Sequence, residues 1–290
     1  MELVTAVITT CKREPKIVER AIKSVLIQTY GNMQYILVDD SPSNYEFKTA
    51  VEELAQSYKK DGLIYVSHDK CYGACEARNT GLNLAKGKFI GFLDDDDEWL
   101  PTKVEKQLSA FINERIAFVY CGSEIFNDED QTISERLIKF ESGKVFEKLI
   151  LQNFVGSTSF PLIRTDYLRF IGGFDTQMLS AQDADVWLRL AEKYEVSYVN
   201  ENLVRYHIHS SDQISKSSFR RISGLERIIE KNKQYLESHP DAYWKRTIRM
   251  VPEYKKAGEI RKAIRTWLKA VAIKPNYVFE NLKFLYSIFQ

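Results

Sequence analysis

Apolar and polar residues follow a regular pattern over the first 126 residues, in which short apolar segments alternate with longer amphipathic ones. The short segments are rich in Val, Ile and Phe and are apolar on both faces, which is typical of buried strands in a largely parallel sheet. The alternation predicts repeated strand–helix–strand units. The predicted strands are residues 3–9, 34–38, 63–67, 88–93 and 117–126.

Helices are predicted in the segments between these strands. In the first of them the apolar residues form one stripe at helical spacing, and Pro15 suits the first turn. Lys86-Gly87 is a C-terminal stop signal for the third predicted helix. The predicted helices are residues 15–29, 45–60, 74–85 and 101–114.

After residue 126 the pattern loosens, and from about Ser217 it is helical to the end. We therefore predict an α/β domain at residues 1–215, built on a mostly parallel sheet flanked by helices, and a helical extension at 216–290. Within the second half of the domain the pattern predicts a polar loop at 127–135, a break at Gly172-Gly173, a helix at 183–194 and short strands at 196–199 and 203–207.

Composition and charge set the class of protein. With 44% hydrophobic and 28% charged residues, the chain has the balance of an ordinary globular protein. The formal net charge is +1, but residues 215–290 contain 17 Lys and Arg against 7 Asp and Glu, which leaves 24 against 33 elsewhere. This basic tail favours contact with a membrane surface or a phosphate-bearing partner, and a solvated basic helical face is the open alternative.

The sequence also carries information on the compartment. No apolar run approaches the length of a membrane span, and the N-terminal residues enter a strand-like segment with no basic region before it. The cysteines, Cys11, Cys71, Cys75 and Cys121, fit neither a disulfide framework nor a zinc-binding spacing. We therefore expect reduced thiols and a cytoplasmic protein, with peripheral contact at the inner face of the membrane through the basic tail.

Polar side chains follow the predicted strands at the points where they end. Ligands of open α/β sheets bind outside the carboxyl ends of the strands, so these side chains are candidates for a binding site. The strand ends are Thr9-Thr10-Cys11, Asp39-Asp40-Ser41, His68-Asp69-Lys70 and the four aspartates at 94–97.

The four consecutive aspartates have two interpretations. They form an acidic loop solvated by water, or they bind a hard divalent cation, Mn²⁺ or Mg²⁺, whose other positions are filled by water and diphosphate. Unneutralised carboxylates at this density repel one another, which favours the cation. A calcium loop is excluded, because Trp99 stands where its sixth position requires glycine.

Asp40 and Arg78 suit a nucleotide ligand. A carboxylate only accepts hydrogen bonds, and the N–H group of a uracil edge is a donor that would satisfy Asp40. The planar guanidinium of Arg78, on the helix after the third strand, suits either base or phosphate. The alternative for Arg78 is a surface ion pair with Asp69 or Glu76.

Asp183 is a candidate general base. Helical spacing places residues 183, 187, 190 and 194 on one face, and the last three are Trp, Leu and Tyr. This spacing predicts that Asp183 faces inward and that Asp185 does not. A carboxylate at the apolar edge of a cleft can act as a general base, whereas helix N-capping is the open alternative for Asp183.

These features resemble the family 2 glycosyltransferases, whose fold is GT-A. They occur in the right order over about residues 3 to 212, although each motif alone is weakly specific. The matching segments are Val7-Ile8-Thr9-Thr10, Ser24 to Tyr30, Ile36 to Ser41, Ala77-Arg78-Asn79, Phe89 to Asp97 with Trp99 and Pro101, Gly172-Gly173-Phe174-Asp175, Gln182-Asp183 with Trp187, and Tyr206 to His209.

The resemblance implies a GT-A type, Rossmann-like sheet and a set of site residues. It implies that Asp96 contacts the metal ion, Mn²⁺ or Mg²⁺, and that His209 lies near the metal or diphosphate, with an ordinary surface histidine as the alternative. Asp94 and Asp95 would lie near the ribose and the metal shell. The resemblance also implies nucleotide recognition by Thr9, Asp40 and Arg78, and general-base catalysis by Asp183.

The sequence departs from the family pattern at three positions. Cys11 stands where an aromatic residue often stacks on the base. Gln182 replaces the usual glutamate before the base, and His207 replaces a common arginine. The acidic residues assigned to the base and the metal are both present, so the chain still resembles an active enzyme.

The implied activity is an inverting, non-processive transfer of a sugar from a nucleotide diphosphate donor, most simply a UDP-sugar. The implied acceptor is a glycan hydroxyl, on a lipid carrier by family analogy, and no nucleic acid is expected as a partner. Two alternatives remain: a sugar-phosphate nucleotidyltransferase and a non-catalytic membrane-docking module that binds nucleotide sugars. The first generally has a glycine- and arginine-rich loop after the first strand, which Thr9-Thr10-Cys11-Lys12-Arg13 lacks.

Overall fold

The computed structural model describes residues 1–127, 129, 131–135, 140–208 and 217–289. The chain divides into two compact units. The predicted boundary at 215/216 falls in residues 209–216, outside the described residues, and stays a prediction. The first unit is Met1–Leu149, Asn153–Thr176 and Val186–Ser210, and the second is Ile150–Gln152, Gln177–Asp185 and Ser211–Gln290.

A mixed sheet forms the centre of the first unit. Nine strands belong to it within the described residues. The strands are β1 (Val4–Thr10), β2 (Met33–Asp39), β3 (Leu63–Ser67), β4 (Phe89–Asp94), β5 (Glu98–Trp99), β6 (Ile116–Asn127), β7 (Thr132–Glu135), β8 (Leu162–Arg164) and β9 (Glu195–Ile208).

The strand order is β3-β2-β1-β4-β8-β6-β9-β5, with β7 paired to β6. The first four are parallel, so the carboxyl ends of β1, β2 and β4 lie at one edge. All five strands predicted from the first 126 residues are confirmed. All seven residues of β1 are buried, because the strand has a neighbour on each side and helices pack on the sheet.

The separate strands predicted at 196–199 and 203–207 are wrong, because β9 runs through both. The intervening residues, Asn200 to Asn202, are polar and two of the three are exposed, which interrupts the apolar pattern on which the prediction rested. The chain nevertheless stays paired with β6, and shifts in register at Cys121/Gly122 and Gly122/Ser123 absorb the irregularity. A Cβ added to Gly122 would lie 2.4 Å from Asn202 Oδ1, so only glycine allows this close approach.

The helices predicted along the first part of the chain are confirmed but shorter. Helix α1 ends before Thr29, because the Thr29 amide donates to the Pro101 carbonyl at 2.9 Å instead of continuing the helix. The helices are α1 (Pro15–Leu26), α2 (Lys48–Ser57), α3 (Ala74–Leu84), α4 (Lys103–Ser109), α5 (Phe146–Leu149), α6 (Thr165–Phe170) and α7 (Gln182–Lys193).

Lys103, at the start of α4, is a charged residue inside the core. Its side chain is 0% exposed, its Nζ donates to Gln107 Oε1 at 2.7 Å, and it lies 4.1 Å from the centre of the Trp99 ring. Burial disfavours the ammonium form and lowers the pKa of Lys103 to about 8.

We expect the Lys103 pKa to appear in the pH dependence of stability. Between about pH 8 and its ordinary pKa of 10.5, the unfolded lysine holds a proton that the folded one has released. The free energy of unfolding should therefore rise with pH across this interval, by about 3 kcal/mol relative to the Lys103→Met variant. Urea denaturation of both proteins from pH 7.5 to 10.5 measures the difference, and parallel pH profiles would contradict the prediction.

From Ser218 to Phe289 the second unit consists of helices and short connections, as the pattern from Ser217 predicts. Its core includes Trp244, Val251 and Ala263, all buried. No helix in the described part of the chain has both the length and the hydropathy needed to cross a membrane. The helices are α8 (Ser218–Lys231), α9 (Lys233–Ser238), α10 (Pro240–Ile248), α11 (Met250–Lys256), α12 (Ile260–Ile273) and α13 (Val278–Phe289).

Candidate active site

The sheet edge at the carboxyl ends of β1, β2 and β4 brings several predicted site residues together. Thr9 lies beside Asp94 in the register of β1 and β4. The Asp40 amide donates to the Thr10 carbonyl at 2.8 Å, which places the residue after β2 against the end of β1. This edge is called the acidic edge below, and it is defined by Thr9, Asp40, Arg78 and residues 94–96.

Asp40 is only 2% exposed and already accepts hydrogen bonds at this edge. The amides of Tyr72 and Gly73 donate to its two carboxylate oxygens at 2.8 Å each. His68 Nδ1 lies 2.8 Å from Asp40 Oδ1, and its Nε2 lies 3.1 Å from the Thr80 hydroxyl. A carboxylate offers about four acceptor positions, so one further donor can still be accommodated.

The preceding residue, Asp39, has a different role. Its side chain is fully buried, forms an ion pair with Lys48 at 3.1 Å and accepts from the Tyr65 hydroxyl at 3.0 Å. One of its oxygens also accepts from the Ser41 amide. Asp39 therefore holds the turn after β2 in place, which leaves Asp40 as the carboxylate available to a ligand.

Arg78 points to the acidic edge from α3. Its Nη2 donates to Asp94 Oδ1 at 2.6 Å, and the side chain is 7% exposed. This ion pair differs from both surface pairs, with Asp69 or Glu76, that the sequence left open. Ser157 and Thr158 hydroxyls also lie 3.2 Å from the Asp94 carboxylate, so this strand end is fixed from two sides.

The Gly172-Gly173-Phe174 motif supports the position of Arg78. Asn79, next to Arg78 on α3, exchanges two hydrogen bonds of 2.8 Å with the backbone of Phe174. The Phe174 ring then lies 5.5 Å from the Arg78 guanidinium. Gly173 has φ +68°, and a Cβ there would lie 2.6 Å from Asn79 Oδ1, so glycine is required.

Arg13 is the positive charge that faces the run of aspartates. Its Nε lies 3.0 Å from Asp95 Oδ1 and its Nη2 lies 2.8 Å from Asp96 Oδ2. Arg20 donates to the Asp96 backbone carbonyl at 2.9 Å. Arg13 therefore bridges two carboxylates through charge-assisted hydrogen bonds, which offset part of the repulsion between them.

The charge density of the turn changes the protonation of its carboxyl groups. Burial raises the pKa of Asp95 to about 7, with Arg13 opposing the rise and Asp96 adding to it. Burial also raises the pKa of Asp97 well above its ordinary value, and the Asp96 and Asp94 charges add to this. Additional positive charge at this edge would therefore bind favourably.

Asp183 lies in the second unit, as the second residue of α7 and not as the residue that caps it. It is half-buried. The prediction that Asp185 does not face inward is wrong: Asp185 is 2% exposed and forms an ion pair with Lys231 of α8. The α7 pattern could not predict this, because the covering helix is more than 30 residues further along the chain. His209 lies outside the described residues.

The sequence analysis did not include Arg13 and His68, which both contact the acidic edge, among the site residues. Arg13 follows β1 by three positions, so the strand-end rule would have included it if the rule had been applied beyond Cys11. His68 was noted only as part of a polar strand end. Of the departures from the family pattern, His207 is buried and lies 2.7 Å from Glu98 Oε1.

Comparison with known proteins identifies the chain. Residues 5–172 match the sequence profile of Glycosyl transferase family 2. The chain belongs to this family. This confirms the family predicted from the motifs, and the protein is a glycosyltransferase.

Two similar glucosyltransferases come from Escherichia coli. WfgD of Escherichia coli, a UDP-Glc:alpha-D-GlcNAc-diphosphoundecaprenol beta-1,3-glucosyltransferase, is 30% identical over 210 residues, which cover 71% of this chain and 77% of WfgD. WfaP of Escherichia coli, with the same named activity, is 26% identical over 243 residues, which cover 79% of this chain and 86% of WfaP.

A solved structure shows the fold of this family 2 glycosyltransferase. S. aureus TarS 1-349, in complex with UDP-GlcNAc, matches with a TM-score of 0.67 at 16% identity, over 93% of this chain and 80% of TarS 1-349. The predicted α/β, GT-A type fold with a helical C-terminal region is thereby confirmed. The individual roles of Thr9, Asp40, Arg78, Asp94, Asp95, Asp96, Asp183 and His209 stay predictions.

Proposed function

We propose that this family 2 glycosyltransferase is metal-dependent, inverting and non-processive, and that it transfers a sugar from a UDP-sugar to a hydroxyl of a glycan acceptor in polysaccharide or glycoconjugate biosynthesis. The observation that carries this proposal is the convergence of Asp40, Arg78 and residues 94–96 at one sheet edge. The WfgD and WfaP activities and the UDP-GlcNAc complex of TarS support the choice of a UDP-sugar.

The nucleotide would bind along the acidic edge. Asp40 has room for one more donor, which the N–H group of uracil supplies. Its position is set by His68 and the amides of Tyr72 and Gly73, so the acceptor geometry exists before the ligand arrives. Thr9 and Arg78 would complete recognition of base, ribose or phosphate at the ends of the adjacent elements.

The donor atoms at this edge fit Mn²⁺ or Mg²⁺ that arrives with the diphosphate. Carboxylate oxygens are the ligands these ions prefer, and the Asp96 side chain is 22% exposed. Among the described residues, no group of three or more His, Cys, Asp or Glu side chains is placed so that it could hold a metal ion. In this proposal the diphosphate oxygens would supply further ligands of the ion. Asp96, with His209, would hold the ion, and Asp94 and Asp95 would lie near the ribose and the metal shell. The ion supplies positive charge to the departing diphosphate.

The residues of the chain would carry the remaining chemistry. Asp183 would remove the proton from the acceptor hydroxyl as its oxygen attacks the anomeric carbon on the face opposite the diphosphate, which inverts that carbon. Arg13 already neutralises Asp95 and Asp96 without nucleotide. It would keep the four aspartates from repelling an approaching diphosphate.

The basic second unit would bring the enzyme to a lipid-linked acceptor. Arg261, Lys262 and Arg265 on α12 are exposed, and Leu268 on the same helix is 54% exposed. This combination suits the surface of an anionic bilayer. The protein should sediment with phosphatidylglycerol vesicles in low salt and be released in high salt. Equal sedimentation with phosphatidylcholine alone would count against a charge-driven contact, and no sedimentation with either lipid would count against membrane contact.

The decisive experiment is an incubation of the purified protein with a panel of UDP-sugars and Mn²⁺. We expect slow UDP release from one donor, acceleration by an undecaprenyl-diphosphate-linked sugar, and loss of both with EDTA. Release of pyrophosphate from UTP and a sugar 1-phosphate would instead indicate a nucleotidyltransferase. Binding of UDP-sugar without release under any condition would indicate a non-catalytic module.

A further inference from the structure

Two of the four cysteines face each other at the acidic edge. The sulfurs of Cys11 and Cys71 are 3.3 Å apart, and both side chains are exposed, whereas Cys75 and Cys121 are buried. The two residues are 60 positions apart in the chain, so the contact is produced by the fold and not by local sequence. A disulfide has a sulfur–sulfur distance of about 2.05 Å, so a modest approach of the two loops would close the bond.

Both cysteines lie next to Asp40. Cys11 Sγ is 3.3 Å from the Asp40 backbone carbonyl, to which its S–H group donates. Cys71 directly precedes Tyr72 and Gly73, whose amides donate to the Asp40 carboxylate. Both cysteines are therefore attached to the backbone segments that hold this carboxylate.

We propose that Cys11 and Cys71 form an oxidisable dithiol site, which a low-molecular-weight disulfide such as oxidised glutathione converts to an intramolecular disulfide, and that this bond weakens binding of uridine nucleotides. The second half of the proposal rests on the proposed function, whereas the first half does not.

The reaction is a two-step thiol–disulfide exchange. The Cys71 thiolate attacks one sulfur of the oxidised glutathione, whose S–S bond breaks and releases one glutathione thiolate. The Cys11 sulfur then loses its proton and attacks the Cys71 sulfur of the mixed disulfide, which releases the second glutathione. The protein loses two electrons and two protons, and the glutathione disulfide gains them.

Cys71 is assigned the first attack because the surroundings of Cys11 make its thiol the poorer nucleophile. Partial burial at the Asp40 carbonyl, with the neighbouring Cys71 sulfur, raises the pKa of Cys11 to about 12. A thiol of this kind is a poor first nucleophile. Within the mixed disulfide, however, Cys11 is held beside its target, and this proximity compensates for its low acidity.

The disulfide would weaken nucleotide binding through the loop that it fixes. Oxidation removes the S–H donor to the Asp40 carbonyl and ties the end of β1 to the segment before α3. Closing the sulfur–sulfur distance from 3.3 Å to about 2.05 Å would shift the backbone that carries the Tyr72 and Gly73 amides, and with it the orientation of the Asp40 carboxylate toward the uracil N–H group. In the reduced protein the carboxylate keeps the orientation that these amides set.

Intact-protein mass spectrometry of the full chain, equilibrated in buffers of varied ratio of reduced to oxidised glutathione, tests the first half. We expect the wild type to lose two hydrogens and to yield a peptide cross-linked between Cys11 and Cys71. The Cys75→Ser variant should behave as the wild type, and Cys71→Ser should not form the link. Absence of the link at every ratio, or a loss of two hydrogens that persists in Cys71→Ser, would overturn the site.

Calorimetric titration with UDP tests the second half. We expect the oxidised wild type to bind UDP about ten-fold more weakly than the reduced one, and dithiothreitol to restore the affinity. The double variant Cys11→Ser/Cys71→Ser should bind UDP equally well with and without oxidised glutathione. Equal affinity of the oxidised and reduced wild type would refute this half. If the reduced protein binds no UDP, the proposed function and the second half fail, while the mass spectra still decide the first.

Discussion

Replacement of Asp183 by asparagine is expected to lower the turnover number for sugar transfer by about 10²- to 10⁴-fold and to leave UDP affinity unchanged. Asparagine keeps the size of the side chain but cannot take up a proton, so only the contribution of a positioned general base is lost. The proposed nucleotide ligands, Thr9, Asp40 and Arg78, lie at the sheet edge of the first unit and are not altered. UDP release in the presence of acceptor measures turnover, and calorimetry measures affinity.

Glu192→Gln is the matched control for Asp183→Asn. Glu192 is an exposed carboxylate on the same helix, so the charge change is equal. We expect it to retain wild-type turnover. An Asp183→Asn protein that turns over within two-fold of the wild type would remove Asp183 from the role of base, whereas loss of UDP binding in that protein would indicate a structural role.

Replacement of Asp96 by asparagine is expected to remove the part of UDP affinity that depends on Mn²⁺, a loss of about 10²-fold in the presence of the ion. Asparagine lacks the negative charge that attracts a hard dication, so the diphosphate would bind without its counter-charge. In EDTA the variant and the wild type should bind UDP with similar affinity. Calorimetric titrations with UDP, with and without Mn²⁺, give the four affinities needed.

Asp69→Asn is the matched control for Asp96→Asn. Asp69 follows β3 at the same sheet edge, is exposed, and accepts from the Tyr72 hydroxyl at 3.0 Å. The control should show the full wild-type gain in affinity on addition of Mn²⁺. If Asp96→Asn shows that gain too, another group holds the ion or the ion is not needed. Arg13 would then be the main counter-charge of the turn, since it already pairs with Asp95 and Asp96.

The acidic edge could be predicted in outline from the strand ends. Asp40 and Asp94 each follow a segment whose apolar residues marked it as a buried parallel strand, and parallel strands in one sheet end at the same edge. The bonds that hold the edge together were not predictable in the same way. Arg13 and Asp95 are 82 positions apart, and they meet only because β1 and β4 are neighbours in the sheet.

The least predictable features are those in which a contact with a segment distant along the chain overrides the local sequence pattern. Strand β9 continues through polar residues because β6 pairs with it across a shifted register, so the local loss of alternation did not end the strand. Asp185 is buried because Lys231 of α8 neutralises it, although its own helical pattern placed it away from the apolar face. In both cases an interaction with a distant segment, the pairing with β6 or the ion pair with Lys231, stabilises an arrangement that the local residues alone would not favour.

The sequence by itself determined the five strands and four helices of the first 126 residues and the family, and it predicts residues suited to nucleotide and metal chemistry. The short elements β5, β7, β8, α5 and α6 were not predicted from the apolar pattern. Apolar periodicity and strand-end position are local properties, and each can be read within a window of a few residues. Only the tertiary structure decided that Arg13 meets Asp95 and Asp96, that Arg78 pairs with Asp94, and that Cys11 faces Cys71. These pairs depend on strand order and loop path, because the energy of a charge pair or a hydrogen bond falls off within a few ångströms in space, whatever the separation along the chain.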